Sequence, residues 1–182
     1  MAGGREATVE DLYRVDQKAE IVGGRLVLMS ATGWLPGLAG GQIFVSPHEY
    51  GQTTKRGYAV PDNVGFIVNL PSRRSFSPDV AFTTVPPLTG KFIDGAPVFA
   101  AEIRSEGDYG SAAEEAMAGK RADYFAAGTL VVWDVDVLSE QVVRVYRSTR
   151  PSTAIVYRRG ERAEAEPTLP GWSMPVDDLF LR

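Results

Sequence analysis

The apolar positions of this chain change period between Ser77 and Asp136. In SPDVAFTT they alternate, placing Val80 and Phe82 on one face of a strand and Asp79, Ala81 and Thr83 on the other. In VFAAEIRS, Phe99, Ala101 and Ile103 share one face; Val98, Ala100, Glu102 and Arg104 share the other. A strand that is apolar on both faces predicts a sheet covered on both sides. The period then lengthens. Ala113, Ala116, Met117, Lys120, Tyr124 and Ala127 fall on one stripe at helical spacing. Ser111 or Asp108 starts this helix and Gly128 stops it. TLVVWDVD follows as a buried strand.

Asp79, Glu102 and Lys120 interrupt these elements. Buried charge is costly unless it is paired or bound to a metal. Glu102 and Arg104 admit two readings: an ion pair at a strand end, or part of a site. Lys120 lies near the middle of its stripe, so it either snorkels to the rim or faces a carboxylate site on the sheet.

The outer elements are simpler. Thr8 to Val15 predicts a short helix with a Thr start and acidic first turn. Glu20 to Ser30 predicts a hairpin turning at Val22-Gly23-Gly24-Arg25. Glu20 is read first as a sheet-edge charge and second as an additional site residue. Tyr58–Val60 and Gly65–Leu70 read as strands around an Asp62-Asn63 turn. Ala31 to Gly57 reads as irregular, because Pro36, Gly37, Gly40, Gly41 and Pro47 are poor helix residues. Its glycines lack the Gly-Lys-Ser/Thr ending of a phosphate loop. Val85 to Pro97 is a Pro/Gly loop joining the two candidate site strands. Beyond Asp136, EQVVRVYR and TAIVYRR predict a hairpin turning near Pro151.

At 182 residues the chain is expected to form a single domain, 1–182. It contains no cysteine and one histidine, His48, which excludes disulfides and Cys-based zinc sites. A His-rich metal site and a Ser-His-Asp triad on this chain are equally disfavoured. No apolar run approaches the roughly 20 residues of a membrane span, and MAGGREATVEDLY lacks an apolar signal core. The expectation is a cytoplasmic protein without a membrane partner. A net charge of −4 argues against broad non-specific nucleic-acid binding. Local patches remain. Arg73 and Arg74 precede the Asp79 strand, where a solvated basic loop or a phosphate contact would explain them. Arg144, Arg147, Arg150, Arg158, Arg159 and Arg162 gather on the later hairpin, as a nucleic-acid patch or as edge charges that deter aggregation.

The order P-D at Pro78-Asp79, E-I-R-S at Glu102 to Ser105, K-R-x-D-Y-F-A-A-G at Lys120 to Gly128, and W-D-V-D at Trp133 to Asp136 resembles the Uma-type (Uma-two) restriction endonuclease family. That family belongs to the PD-(D/E)XK nuclease superfamily. EIVGGRLVLMS at Glu20 to Ser30, RVYR at Arg144 to Arg147 and LPGWSMPVDDLF at Leu169 to Phe180 are similar to its outer landmarks, so the resemblance spans nearly the whole chain. It implies an α/β (α+β), restriction-endonuclease-like fold: a mixed central β-sheet flanked by helices, with amino-terminal and carboxy-terminal β-hairpins. It also implies a Mg²⁺-dependent DNA endonuclease, with Mn²⁺ as a substitute and a homodimer as the assembly. Trp34, Leu35 and Phe44 serve either that interface or the core.

Under the resemblance, Asp79 and Glu102 are metal ligands and the Ile103 carbonyl is a third. The superfamily's lysine, two residues after the glutamate, is replaced by Arg104, which keeps the charge but does not deprotonate in proteins. Lys120 can supply the ammonium instead. Of the basic positions noted above, Arg73, Arg74, Arg144 and Arg147 are the candidate DNA contacts for such an enzyme. The family's long amphipathic helix, preceded by a histidine, falls on the irregular 31–57 segment, with Pro36 or a neighbour in the histidine's place. Two further readings therefore stand beside the endonuclease: a catalytically silent module of the same fold that binds DNA or protein, and another metal-dependent hydrolase.

Overall fold

The computed structural model describes residues 5–85 and 89–180. In chain order the elements are α1 (Val9–Tyr13), β1 (Ala19–Val22), β2 (Arg25–Leu28), α2 (Trp34–Thr54), β3 (Tyr58–Val60), β4 (Phe66–Ile67), β5 (Ser75–Phe76), β6 (Val80–Thr83) and β7 (Ile93–Asp94). They continue with β8 (Phe99–Ile103), α3 (Ser111–Ala126), β9 (Val131–Val135), β10 (Val143–Arg147), β11 (Arg150–Tyr157), β12 (Arg162–Glu164), β13 (Ser173–Pro175) and a 3₁₀ turn (Val176–Leu179).

A six-stranded mixed sheet, ordered β11-β10-β9-β8-β6-β3, forms the centre. Strands β8 and β9 pair in parallel, Phe99 opposite Val131 and Glu102 opposite Asp134. Parallel neighbours need a crossover, and α3 provides it. All other pairings in this sheet are antiparallel.

The predicted alternation holds on both faces. Val80, Phe82, Phe99, Ala101, Ile103, Val131, Trp133 and Val135 point to one side. There they pack against Ala39 and Ile43 of α2 and against Leu169, Trp172 and Met174 near the carboxy terminus. Ala81, Ala100 and Val132 point to the other side, with Tyr124 of α3 and Phe76. Glu102 lies on this second face, beside Ala100 in the alternation. The amino-terminal part is pinned alongside: the Ile21 N–H donates to Ser75 Oγ, and the Gly23 N–H to the Ser72 carbonyl. That contact delivers β1, and Glu20 with it, to the segment leading into β6.

The 31–57 segment corrects the sequence reading. It forms a 21-residue helix, α2, not an irregular stretch. Pro36 falls in its first turn, where the missing N–H has no intrahelical partner to lose. Ala39, Ile43, Pro47 and Gly51 recur every four residues and are all buried, so packing on the sheet outweighs poor propensity. Two glycines are there for close approach. A Cβ at Gly40 would lie 3.2 Å from the Ile103 side chain, and one at Gly51 would lie 2.6 Å from the Gly57 carbonyl. Gly41 is different: it is exposed, and its Cβ would meet nothing within 4 Å. Gly41→Ala is expected to stabilise the protein by about 0.5–1 kcal/mol, read as a higher urea midpoint with an unchanged m-value.

Smaller corrections follow the same logic. The 65–70 strand shrinks to Phe66–Ile67 in a three-stranded side sheet. The late hairpin turns at Ser148-Thr149, and Pro151 sits inside β11, where an edge strand tolerates it. The expected 85–97 loop contains β7, and its residues 86–88 lie outside the described residues.

Candidate active site

Four elements converge on the α3 side of the sheet. β1 brings Glu20, the segment entering β6 brings Asp79, β8 brings Glu102, and α3 brings Lys120 and Tyr124. Lys120 Nζ lies 2.8 Å from Glu102 Oε2 and 2.9 Å from Glu20 Oε1. The Tyr124 hydroxyl donates to Glu102 Oε1 at 2.6 Å. Lys120 and Tyr124 sit four residues apart and therefore share a helix face. The lysine in the middle of the stripe thus faces the sheet and not the rim.

Asp79 is held from two sides. The Ile103 N–H donates to its Oδ2 at 2.7 Å, and Lys18 Nζ lies 2.8 Å from its Oδ1. Because that amide follows Glu102 directly, Asp79 and Glu102 sit at the same end of β8. Lys18 also reaches Asp62 at 2.6 Å.

Glu20 is the largest departure from expectation. Read as a sheet-edge charge, it is instead 3% exposed and central. It accepts the Ser77 N–H at 2.8 Å and pairs with Lys120 and the Arg73 guanidinium. Arg73, expected on a basic loop near phosphate, is buried too. Its Nε donates to Asp123 at 2.9 Å, its Nη1 pairs with Glu20, and its guanidinium lies 5.0 Å from the Phe76 ring centroid.

Burial and mutual charge set the acidities. Glu102 is pushed up to about 7, foremost by burial, against the pull of Lys120 and with the push of Asp79 and Glu20. For Glu20 burial also pushes upward, but Lys120, Arg73 and the Ser77 amide together hold it below the usual carboxylate value. Burial opposes the charge on Lys120, yet Glu102 and Glu20 outweigh it and raise the amine above its ordinary value. Lys18 behaves alike: burial opposes its charge, and Asp79 and Asp62 carry the net shift upward.

Arg104 does not join this cluster. It shares the α3 face with Glu102, but its guanidinium donates twice to Asp134, at 2.7 Å each, and also to Glu114. Asp134 lies opposite Glu102 on β9, so the arginine serves the neighbouring ladder position. Of the other predicted cations, Arg74 is exposed and Arg144 half-buried. Arg147 is tied to Glu164 and to the Glu166 carbonyl. His48 is exposed on α2 and packs near Phe44.

Sequence reading missed Lys18 and Tyr124 as site residues. Tyr124 carried a signal, since it falls on the Lys120 stripe. Lys18 carried none, since it lies two positions before the predicted Glu20–Ser30 hairpin.

Comparison with known proteins follows the same lines. No curated protein matches the chain. The structure is similar to that of a putative nuclease belonging to DUF820 from Anabaena variabilis ATCC 29413, with a TM-score of 0.75 at 16% identity, over 96% of this chain and 97% of that one. At that identity the likeness concerns the fold. The family model for Uma2, described as putative restriction endonuclease, matches residues 7–177. With the strand–strand–helix–strand order and the convergent acids already in place, this match over almost all of the sequence shows that the chain belongs to the Uma2 family.

Proposed function

We propose that this chain is a divalent-metal-dependent DNA endonuclease that hydrolyses phosphodiester bonds at the Asp79–Glu102–Lys120 site. The observation that carries the reading is the wedging of one ammonium between two acids on a face that a third acid shares. That arrangement suits a reaction whose transition state accumulates negative charge on phosphate oxygens.

The donor set fits Mg²⁺, with Mn²⁺ as a substitute. Asp79 and Glu102 offer hard carboxylate oxygens, and Mg²⁺ is commonly held by one or two carboxylates while keeping several waters. Among the described residues no group of three acids stands ready for a metal. Lysines, an amide and a phenol occupy oxygens of Asp79 and Glu102. Asp79 and Glu102 would hold the ion, with the Ile103 carbonyl as a further oxygen. When bound, the ion supplies Lewis-acid stabilisation of the phosphate and lowers the pKa of a coordinated water.

The remaining roles fall to the chain itself. Lys120 stays charged through neutral pH, so it stabilises phosphate charge and does not act as a base. Tyr124 orients Glu102 through its hydroxyl. Glu20 holds the inner side of Lys120. Arg104 braces β9 and α3. Arg74 and Arg144 are the remaining candidates for DNA backbone contact, and a homodimer would bring two sites to one duplex. No helix among the described residues is long and apolar enough to cross a membrane.

The test is nicking of supercoiled plasmid in Mg²⁺ or Mn²⁺, with none in chelator. The occupied carboxylate oxygens also favour a second reading, a silent module of this fold that binds DNA or a protein. Wild-type protein that binds Mn²⁺ yet cleaves no nucleic acid would decide for it.

The Glu102 acidity gives a pH prediction. A proton on Glu102 competes with the metal, and its folded value of about 7 lies above its ordinary 4.5. Mn²⁺ affinity is therefore expected to fall about tenfold per pH unit below 7 and to level off above it. Without metal the sign reverses for stability. The unfolded chain releases this proton first, so Glu102 weakens the fold as pH rises from 4.5 to about 7. Calorimetric titration with Mn²⁺ from pH 5.5 to 8.5 checks the first statement; a flat profile would refute it.

A further inference from the structure

Lys18 has no part in the reaction as assigned, yet its ammonium occupies a position with a chemical consequence. It lies 2.8 Å from Asp79 Oδ1 and 2.6 Å from Asp62 Oδ1. The Lys18 and Asp79 side chains are 15% and 19% exposed, whereas that of Asp62 is 51% exposed. Asp62 belongs to the turn after β3 and is itself fixed by the Asn63 N–H at 2.7 Å. The acids facing Lys18 are thus Asp62 from that turn, Asp79 from the entry to β6, and Glu102 from β8.

We propose that Lys18 is a positioning residue: the resident counter-ion of Asp79, which yields Asp79 Oδ1 to an arriving divalent cation and keeps its own charge paired on Asp62. The inference rests on the metal-site reading above. Two acids close together at one end of β8 repel each other when no cation lies between them. Lys120 relieves that repulsion at Glu102, and Lys18 relieves it at Asp79. An ammonium and a divalent ion on the same carboxylate oxygen repel each other strongly, so loading the metal favours withdrawal of Lys18 from Asp79 Oδ1. An amine with a single partner would resist, because a partly buried charge left unpaired is costly. Asp62 removes that obstacle: it is already in contact, and its exposed carboxylate keeps the ammonium both paired and hydrated.

The exchange makes Mn²⁺ affinity, not turnover, the informative measurement. Calorimetric titration with Mn²⁺ alone is applied to the full chain, to Lys18→Met, to Asp62→Asn and to the double variant. Lys18→Met removes the competitor and is expected to tighten Mn²⁺ binding about tenfold, within the range for one coupled pair. Asp62→Asn leaves Lys18 with Asp79 alone and is expected to weaken binding about tenfold. In the Lys18→Met background the same Asp62→Asn change is expected to do almost nothing. Lys18→Arg is expected to restore wild-type affinity, which separates ion exchange from damage to the fold.

An unchanged affinity in Lys18→Met overturns the proposal. So does an Asp62→Asn cost of equal size in both backgrounds, since that result means a simple field effect. If Lys18→Met fails to fold, Asp62→Asn against Lys18→Arg still decides: equal affinities in those two overturn it. Wild-type protein that binds no Mn²⁺ overturns the metal site itself, whereas binding without the expected coupling removes only the role of Lys18.

Discussion

Asp79→Asn is expected to reduce metal-dependent plasmid nicking by about a thousandfold while the protein stays folded. The size follows from the proposed role of Asp79 as an anionic metal ligand, since metal stabilisation of the transition state is worth several kcal/mol and each 1.36 kcal/mol is tenfold in rate. The fold survives for two reasons. An asparagine oxygen can still accept the Ile103 N–H that Asp79 accepts at 2.7 Å, and Lys18 keeps Asp62 at 2.6 Å. Asp79→Ala is the poorer test, because it leaves the amide without that acceptor. Nicking within tenfold of wild type, in protein with an unchanged thermal transition, would remove Asp79 from the chemistry.

Arg73→Met is expected to lower unfolding free energy by about 3–5 kcal/mol, the usual cost of breaking a buried ion pair from one side. Glu20 and Arg73 are 3% and 6% exposed, so Glu20 cannot turn to water to replace the Arg73 charge and is left with Lys120 and the Ser77 amide alone. Asp123 would lose the Arg73 donor as well, and Phe76 the cation beside its ring. Phe76 stacks on Tyr124 with ring centroids 4.0 Å apart, and Tyr124 holds Glu102. The damage should therefore reach the site as well as the stability. The double variant Arg73→Met with Glu20→Gln is expected to recover part of the loss, because it leaves no buried carboxylate short of one of its two cations. Urea unfolding of the single and double variants measures both effects. A loss below about 1 kcal/mol for Arg73→Met would mean that the pair is solvated.

Arg73 and Glu20 also show where a linear reading stops. Each is a single charge whose partner lies far away in the chain, and no neighbour in sequence marks the pair. They become partners because β1 docks beside the 72–77 segment, across more than fifty residues of chain. Lys18 and Asp79 meet by the same docking. Arg104 shows the opposite limit. The alternation correctly put it on the face of Glu102, but ladder register decided its partner, and β9 offers Asp134 there.

Local periodicity determined β6, β8 and α3 and that Asp79, Glu102 and Lys120 are the charges interrupting them, and apolar composition marked β9 as a buried strand. Periodicity could do so because side-chain direction in a strand or helix depends only on position within the element. Tertiary structure alone decided that α2 is a helix despite its prolines and glycines, because burial of Ala39, Ile43, Pro47 and Gly51 against the sheet outweighs intrinsic preference. It alone also assigned the ion pairs, since the partner of a buried charge is set by which elements pack together and not by neighbours in the chain.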